Sequence, residues 1–68
     1  MIIDLTETTY TIRRLGCTAW ATGIHYGNID RELANAGPGH VVIPESGPLA
    51  GQAVGDAHEL LELADELA

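Results

Sequence analysis

The chain has no lysine and no phenylalanine, one cysteine and three aromatic residues, Tyr10, Trp20 and Tyr26. Its only cations are Arg13, Arg14 and Arg31, set against ten Asp or Glu for a formal charge of −7. Binding to a DNA or RNA backbone, or to anionic lipid, draws on clustered cations. The shortage therefore argues against nucleic acid and membrane as partners. A lone Cys17 forms no intrachain disulfide and fits a reducing compartment, so a cytoplasmic protein is expected. No run approaches the ~20 apolar residues of a membrane span. The start, Met1 to Leu5, lacks the basic and apolar regions of a secretory signal.

With Phe absent and nine Ala among the hydrophobic residues, the core is thin for a single domain of 68 residues. Chains of this size bury only about 60% of the surface exposed on unfolding, which leaves stability marginal. With disulfides excluded, self-association is the most economical remedy, and a homo-oligomer is expected.

What is present divides near position 27. All six Thr lie between Thr6 and Thr22, among Ile and the aromatics, a mixture that favours strands. Ala, Leu and Glu dominate later and favour helix. The charge divides too. Residues 1–31 balance the three Arg with Asp4, Glu7 and Asp30, whereas residues 32–68 hold seven carboxylates and no cation.

These patterns predict an α+β domain: a small antiparallel sheet packed against a long C-terminal amphipathic helix, with a short middle helix. Residues 2–5 are read as a weak strand, 9–14 and 18–26 as a hairpin turning at Gly16, and 40–43 as a short apolar strand ended by Pro44. Asn28 is placed to cap a helix over 29–36 that Gly37 and Pro38 stop. Asp56 with Glu59 has capping-box spacing. Apolar spacing extends backward from there to Leu49, so one helix over 48–67 is preferred to a loop followed by a helix from Ala57. That choice places Gly51 and Gly55 inside the helix at about 1 kcal/mol each. The apolar stripe is about 160° wide, more than one small sheet needs to cover, which points to a neighbouring subunit.

Candidate chemistry is sparse. A hairpin loop of even length places Arg13 on one face with Leu15, Thr18, Trp20, Thr22, Ile24 and Tyr26. Arg14 then shares the other face with Tyr10, Ile12, Cys17 and His25. Guanidinium pairs bidentately with phosphate or carboxylate, and aromatic rings stack on planar groups, so the first face is suited to a nucleotide-like anion. Arg13 and Trp20 are its expected anchors, with Tyr26, Arg14 and Arg31 assisting. The plainer reading has Arg13 bridged to Glu7 or Asp30 and Trp20 in the core. An odd loop reverses the parity and dissolves the face.

His25, His40, His58 and Cys17 show neither i, i+4 nor Cys-x-x-Cys spacing, so no metal and no cofactor is expected. A Cys17–His25 nucleophile–base pair lacks any mark of a lowered thiol pKa. Pro44-Glu45-Ser46-Gly47-Pro48 lacks the Gly-x-Ser-x-Gly of a nucleophile turn and reads as a strand-to-helix connection. No general acid–base constellation emerges, so the chain is not expected to be an enzyme. The acidic row Asp56, Glu59, Glu62, Asp65 and Glu66 is most simply a solvated helix face.

Two functions remain. The first is a non-catalytic homo-oligomeric protein that sequesters a small anionic, nucleotide-like ligand. The alternative is an inhibitor or antitoxin-like module that docks its acidic helix on a basic protein partner. In size and acidity the chain resembles the compact accessory proteins of phages and mobile elements, a resemblance of format alone.

Overall fold

A computed structural model describes residues 3–14, 16 and 19–67. Three strands, β1 (Thr9–Arg14), β2 (Ala19–His25) and β3 (His40–Pro44), form an antiparallel sheet in the order β2–β1–β3. A 3₁₀ turn (Tyr26–Asn28) leads into α1 (Ile29–Ala36), and α2 (Ala57–Leu67) closes the chain. The class is α+β. No helix among the described residues is long and apolar enough to cross a membrane.

Alternation along β1 sets the two faces of the sheet. Tyr10 and Ile12 are fully buried, and their partners on β3, Pro44 and Val42, are buried with them. Ile29 of α1 and Leu60 and Ala64 of α2 pack on this side, with Leu5 and Leu49 filling the margin. Thr9, Thr11 and Arg13 point the other way, as do Val41 and Ile43, and all five are only half-buried. Both helices lie on the first face, so the second remains open.

Four expectations change. Residues 3–5 form no strand, and Ile2 lies outside the described residues. Asp4 instead accepts the Thr6 N–H at 2.9 Å and the Thr6 hydroxyl at 2.6 Å, the local bonding by which Asp turns a chain. Leu5 then sits in the core, its carbonyl accepting the Tyr10 hydroxyl at 2.6 Å.

The second change concerns Asn28, whose side chain caps nothing. The 3₁₀ turn starts the helix in its place, the Ile29 N–H bonding the Tyr26 carbonyl. The stop at Gly37 is as expected, its N–H meeting the Leu33 carbonyl at 3.0 Å.

The third is the long helix over 48–67. The last helix spans 11 residues from Ala57. Residues 47–52 fold into turns, with Gly51 at φ +82°, a left-handed conformation no helix tolerates. Val54 then pairs with Val42 through N–H···O bonds of 2.8 and 2.9 Å. That bridge satisfies backbone groups on the outer edge of β3 that a continuous helix would leave bare. The Asp56–Glu59 capping box forms where expected, its return bond shifted one residue to Gly55. Asp56 accepts the Glu59 N–H at 2.8 Å, while Glu59 reaches back to the Gly55 N–H at 2.6 Å. The fourth change, in the hairpin register, decides the candidate site.

Candidate functional site

Thr9 pairs with His25 and Tyr10 with Ile24, but further along Ile12 pairs with Ala21 and Arg13 with Ala19. Two bulges in β2 cause the drift. At the first, Thr22 and Gly23 together oppose Thr11, and Gly23 takes φ +67°, which its missing side chain allows. At the second, Trp20 is the extra residue between Ala19 and Ala21. Arg13 is therefore set against Ala19 rather than Trp20, and the expected Arg13–Trp20–Ile24–Tyr26 face does not form.

The expected members disperse. Tyr26 turns to the helix-covered side, where its ring lies tilted against Tyr10 with centroids 6.3 Å apart. Arg13 points to the open face, and its Nε is shielded from solvent without a hydrogen-bond partner. Neither Glu7 nor Asp30 pairs with it. Among the described residues the only close approach of a basic side chain to a carboxylate is His58 Nε2 to Glu62, 2.8 Å apart on α2. Arg31 is exposed on α1. Leu15, Thr18 and the Cys17 half of the Cys17–His25 pair lie outside the described residues.

What the fold does bring together is Arg14, Trp20 and His40. Arg14 ends β1, lies beside Gly39, and is the direct cross-strand partner of His40, which opens β3. The Trp20 indole meets the His40 imidazole edge-on, with centroids 6.1 Å apart and planes at 69°. His40 Nδ1 is 3.1 Å from the Gly37 carbonyl. A carbonyl only accepts, so Nδ1 is the donor in this bond, and in a neutral imidazole Nε2 is then the acceptor. Arg14 is exposed, and Trp20 is 53% exposed. A guanidinium and an accessible indole at one corner are suited to an anionic group carried on a flat ring. Asp30 and Asp56 line the shallow groove that Gly39 and His40 border, so that groove itself does not favour an anion and Arg14 is the group that would draw one.

At the opposite end of the β1–β3 ladder lies a cleft of about 200 Å³, lined by Asp4, Leu5, Tyr10, Pro44, Ser46 and Leu49 among others. Thr8 and Ser46 hydroxyls bond across it at 2.6 Å. The Thr6 hydroxyl and N–H hold the Asp4 carboxyl below its ordinary range. Burial, reinforced by Tyr26 and Asp4, pushes the Tyr10 hydroxyl up to about 12. The lining offers carboxylates and hydroxyls with no cation, so it does not suit an anion.

The open face holds a residue that sequence reasoning passed over. Glu45, one position beyond β3, accepts the Thr9 hydroxyl on Oε1 at 2.7 Å. Its Oε2 accepts the Thr11 hydroxyl at 2.9 Å and the Gly23 N–H at 2.8 Å. One carboxylate thus ties β3 to β1 and to the bulge of β2. The Gly23 N–H first, then the Thr9 and Thr11 hydroxyls, hold it below the ordinary carboxylate range. No sequence signal links Glu45 to Gly23, because the bond depends on an N–H that the bulge frees.

No group of three or more His, Cys, Asp or Glu among the described residues gathers as a metal site. No protein family, curated protein or solved structure matches the chain, so geometry alone carries the functional argument.

Proposed function

We propose that the protein is a non-catalytic, homo-oligomeric binding protein that captures a small anionic, nucleotide-like ligand at the Arg14–Trp20–His40 corner. The observation that carries this reading is an accessible indole held edge-on by His40, with His40 directly opposite an exposed arginine. Trp20 would stack on the base, Arg14 would take the phosphate bidentately, and His40 would fix the indole and offer Nε2 to a donor. Arg13 and Tyr26 have no part in this site. Trp20 is the only tryptophan, so its fluorescence reports directly on the site. Titration with mono-, di- and cyclic nucleotides is expected to quench it. Arg14→Ala should abolish the quenching and Arg13→Ala should retain it. A flat titration with every nucleotide, together with no thermal shift, would overturn the reading.

A second reading is favoured by α2. Leu61 and Leu67 are 46% and 49% exposed beside Glu62, Asp65 and Glu66. Exposed leucines set among acidic side chains fit a basic protein partner. Binding of such a partner should weaken with salt and fail when Glu62 and Glu66 are both changed to Lys. Glu59 is a poor choice for that test, since its carboxylate serves the Gly55 N–H.

A further inference from the structure

We propose that the open face of the sheet is the surface on which two copies of this chain pair, Arg13 of each copy meeting Glu45 of the other across a two-fold axis. The proposal rests on the homo-oligomeric part of the reading above and is independent of the ligand corner.

The open face carries one guanidinium and one carboxylate, which stand apart, with the His25 imidazole opposite Thr9 at the Glu45 end. Arg13 lies in the row of Val41 at one end. Glu45 lies in the row of Thr9 at the other, its N–H bonding the Thr9 carbonyl at 3.0 Å. Four residues along a strand separate those backbone rows by about 13 Å, and although the Glu45 carboxylate is drawn to Thr11, it forms no ion pair with Arg13 within one copy. Both groups are accordingly unpaired among the described residues, and the Arg13 Nε is buried without an acceptor. Glu45 accepts three hydrogen bonds where a carboxylate offers about four sites, so one position stays free.

A two-fold axis in the interface, crossing the strands at the Thr11–Ile43 row, reverses strand direction in the second copy. It lays β1 over β1 and carries the Arg13 end of one copy onto the Thr9 end of the other. The Glu45 carboxylate is already drawn over β1 by Thr9 and Thr11, which is where the partner's guanidinium arrives. Each dimer then holds two such pairs, with half-buried Val41 and Ile43 between them.

Charge also selects this surface over the other uncovered one. Pairing through α2 would press Glu62, Asp65 and Glu66 against their own copies, whereas the pair Arg13 and Glu45 sums to zero and is self-complementary. A face of three short strands falls short of a standard interface of about 800 Å² per partner, so the dimer is expected to dissociate on dilution.

Sedimentation equilibrium over a concentration series tests the proposal. Wild type should populate a dimer at high concentration. Arg13→Glu turns both pairs into like-charge contacts and should weaken the dimer on the order of 100-fold. The double variant Arg13→Glu with Glu45→Arg should restore it. Ile43→Lys, which places like charges near the axis, should also give a monomer, and this holds should Glu45→Arg disturb the sheet. Circular dichroism confirms that each variant is folded. A wild type that stays monomeric overturns the proposal together with the homo-oligomeric reading. A dimer that survives both Arg13→Glu and Ile43→Lys overturns the proposal alone. Nucleotide quenching by monomeric Arg13→Glu reports separately on the Trp20 corner.

Discussion

On the covered face of the sheet, Tyr10, Ile12 and Val42 are completely shielded, with Ile29 and Leu60 from the two helices packed over them. One step along the same strands, Thr11, Arg13, Val41 and Ile43 stay half-exposed with no helix above them. The first face is apolar and closed, and it accounts for the fold. The second is held by hydrogen bonds to one carboxylate and leaves an arginine without an acceptor. In a chain of 68 residues there is enough apolar material to fill one side of a sheet, and the other stays uncovered.

Urea denaturation of paired variants separates the two faces most widely. Leu60→Ala on the covered face should cost about 3 kcal/mol and unfold much of a domain this small. Val41→Ala on the open face should cost no more than about 1 kcal/mol. Equal losses would erase the distinction. Tyr10→Phe comes next, at about 1–2 kcal/mol, because it strands the Leu5 carbonyl inside the core. Tyr10 also sets an alkaline limit. Its hydroxyl is raised from 10.0 to about 12 in the fold, so its contribution is intact below pH 10 and is lost as pH climbs through 12. Tyr10→Phe should remove that part of the alkaline fall.

Glu45 gives a smaller, opposite effect on the open face. Its folded pKa lies below the unfolded 4.5, so it supports the fold at neutral pH and ceases to as pH drops through the folded value. Glu45→Ala should cost about 1 kcal/mol at pH 7 and flatten the acid limb, with the exposed hydrogen bonds screened by solvent. Arg13→Gln should shift monomer stability least, within about 0.5 kcal/mol, since no carboxylate within the chain depends on it.

Local chemistry made much of the fold readable. Thr9–Arg14 alternates, His40–Pro44 is apolar and ends in proline, and α1 stops at Gly37, so each element follows from its own residues. Periodicity misled at residues 48–55. Apolar spacing there is helical by position, but Gly51 breaks the backbone and Val54 bonds to β3, a long-range gain invisible to a helical wheel. The site was less readable for a related reason. A face argument assumes unbroken alternation, and the bulges at Gly23 and Trp20 shift the register twice within seven residues. Arg14 and Trp20 were among the candidates, but their meeting through His40 depends on that shift.

A closed face builds the fold, and the binding proposed above falls on other surfaces of the same sheet. Native mass spectrometry of the intact wild-type protein tests it most directly, since subunit number and retained ligand appear in one spectrum. The expected spectrum is a dimer at high concentration carrying an additional small anionic mass. A bare monomer at every concentration would contradict it.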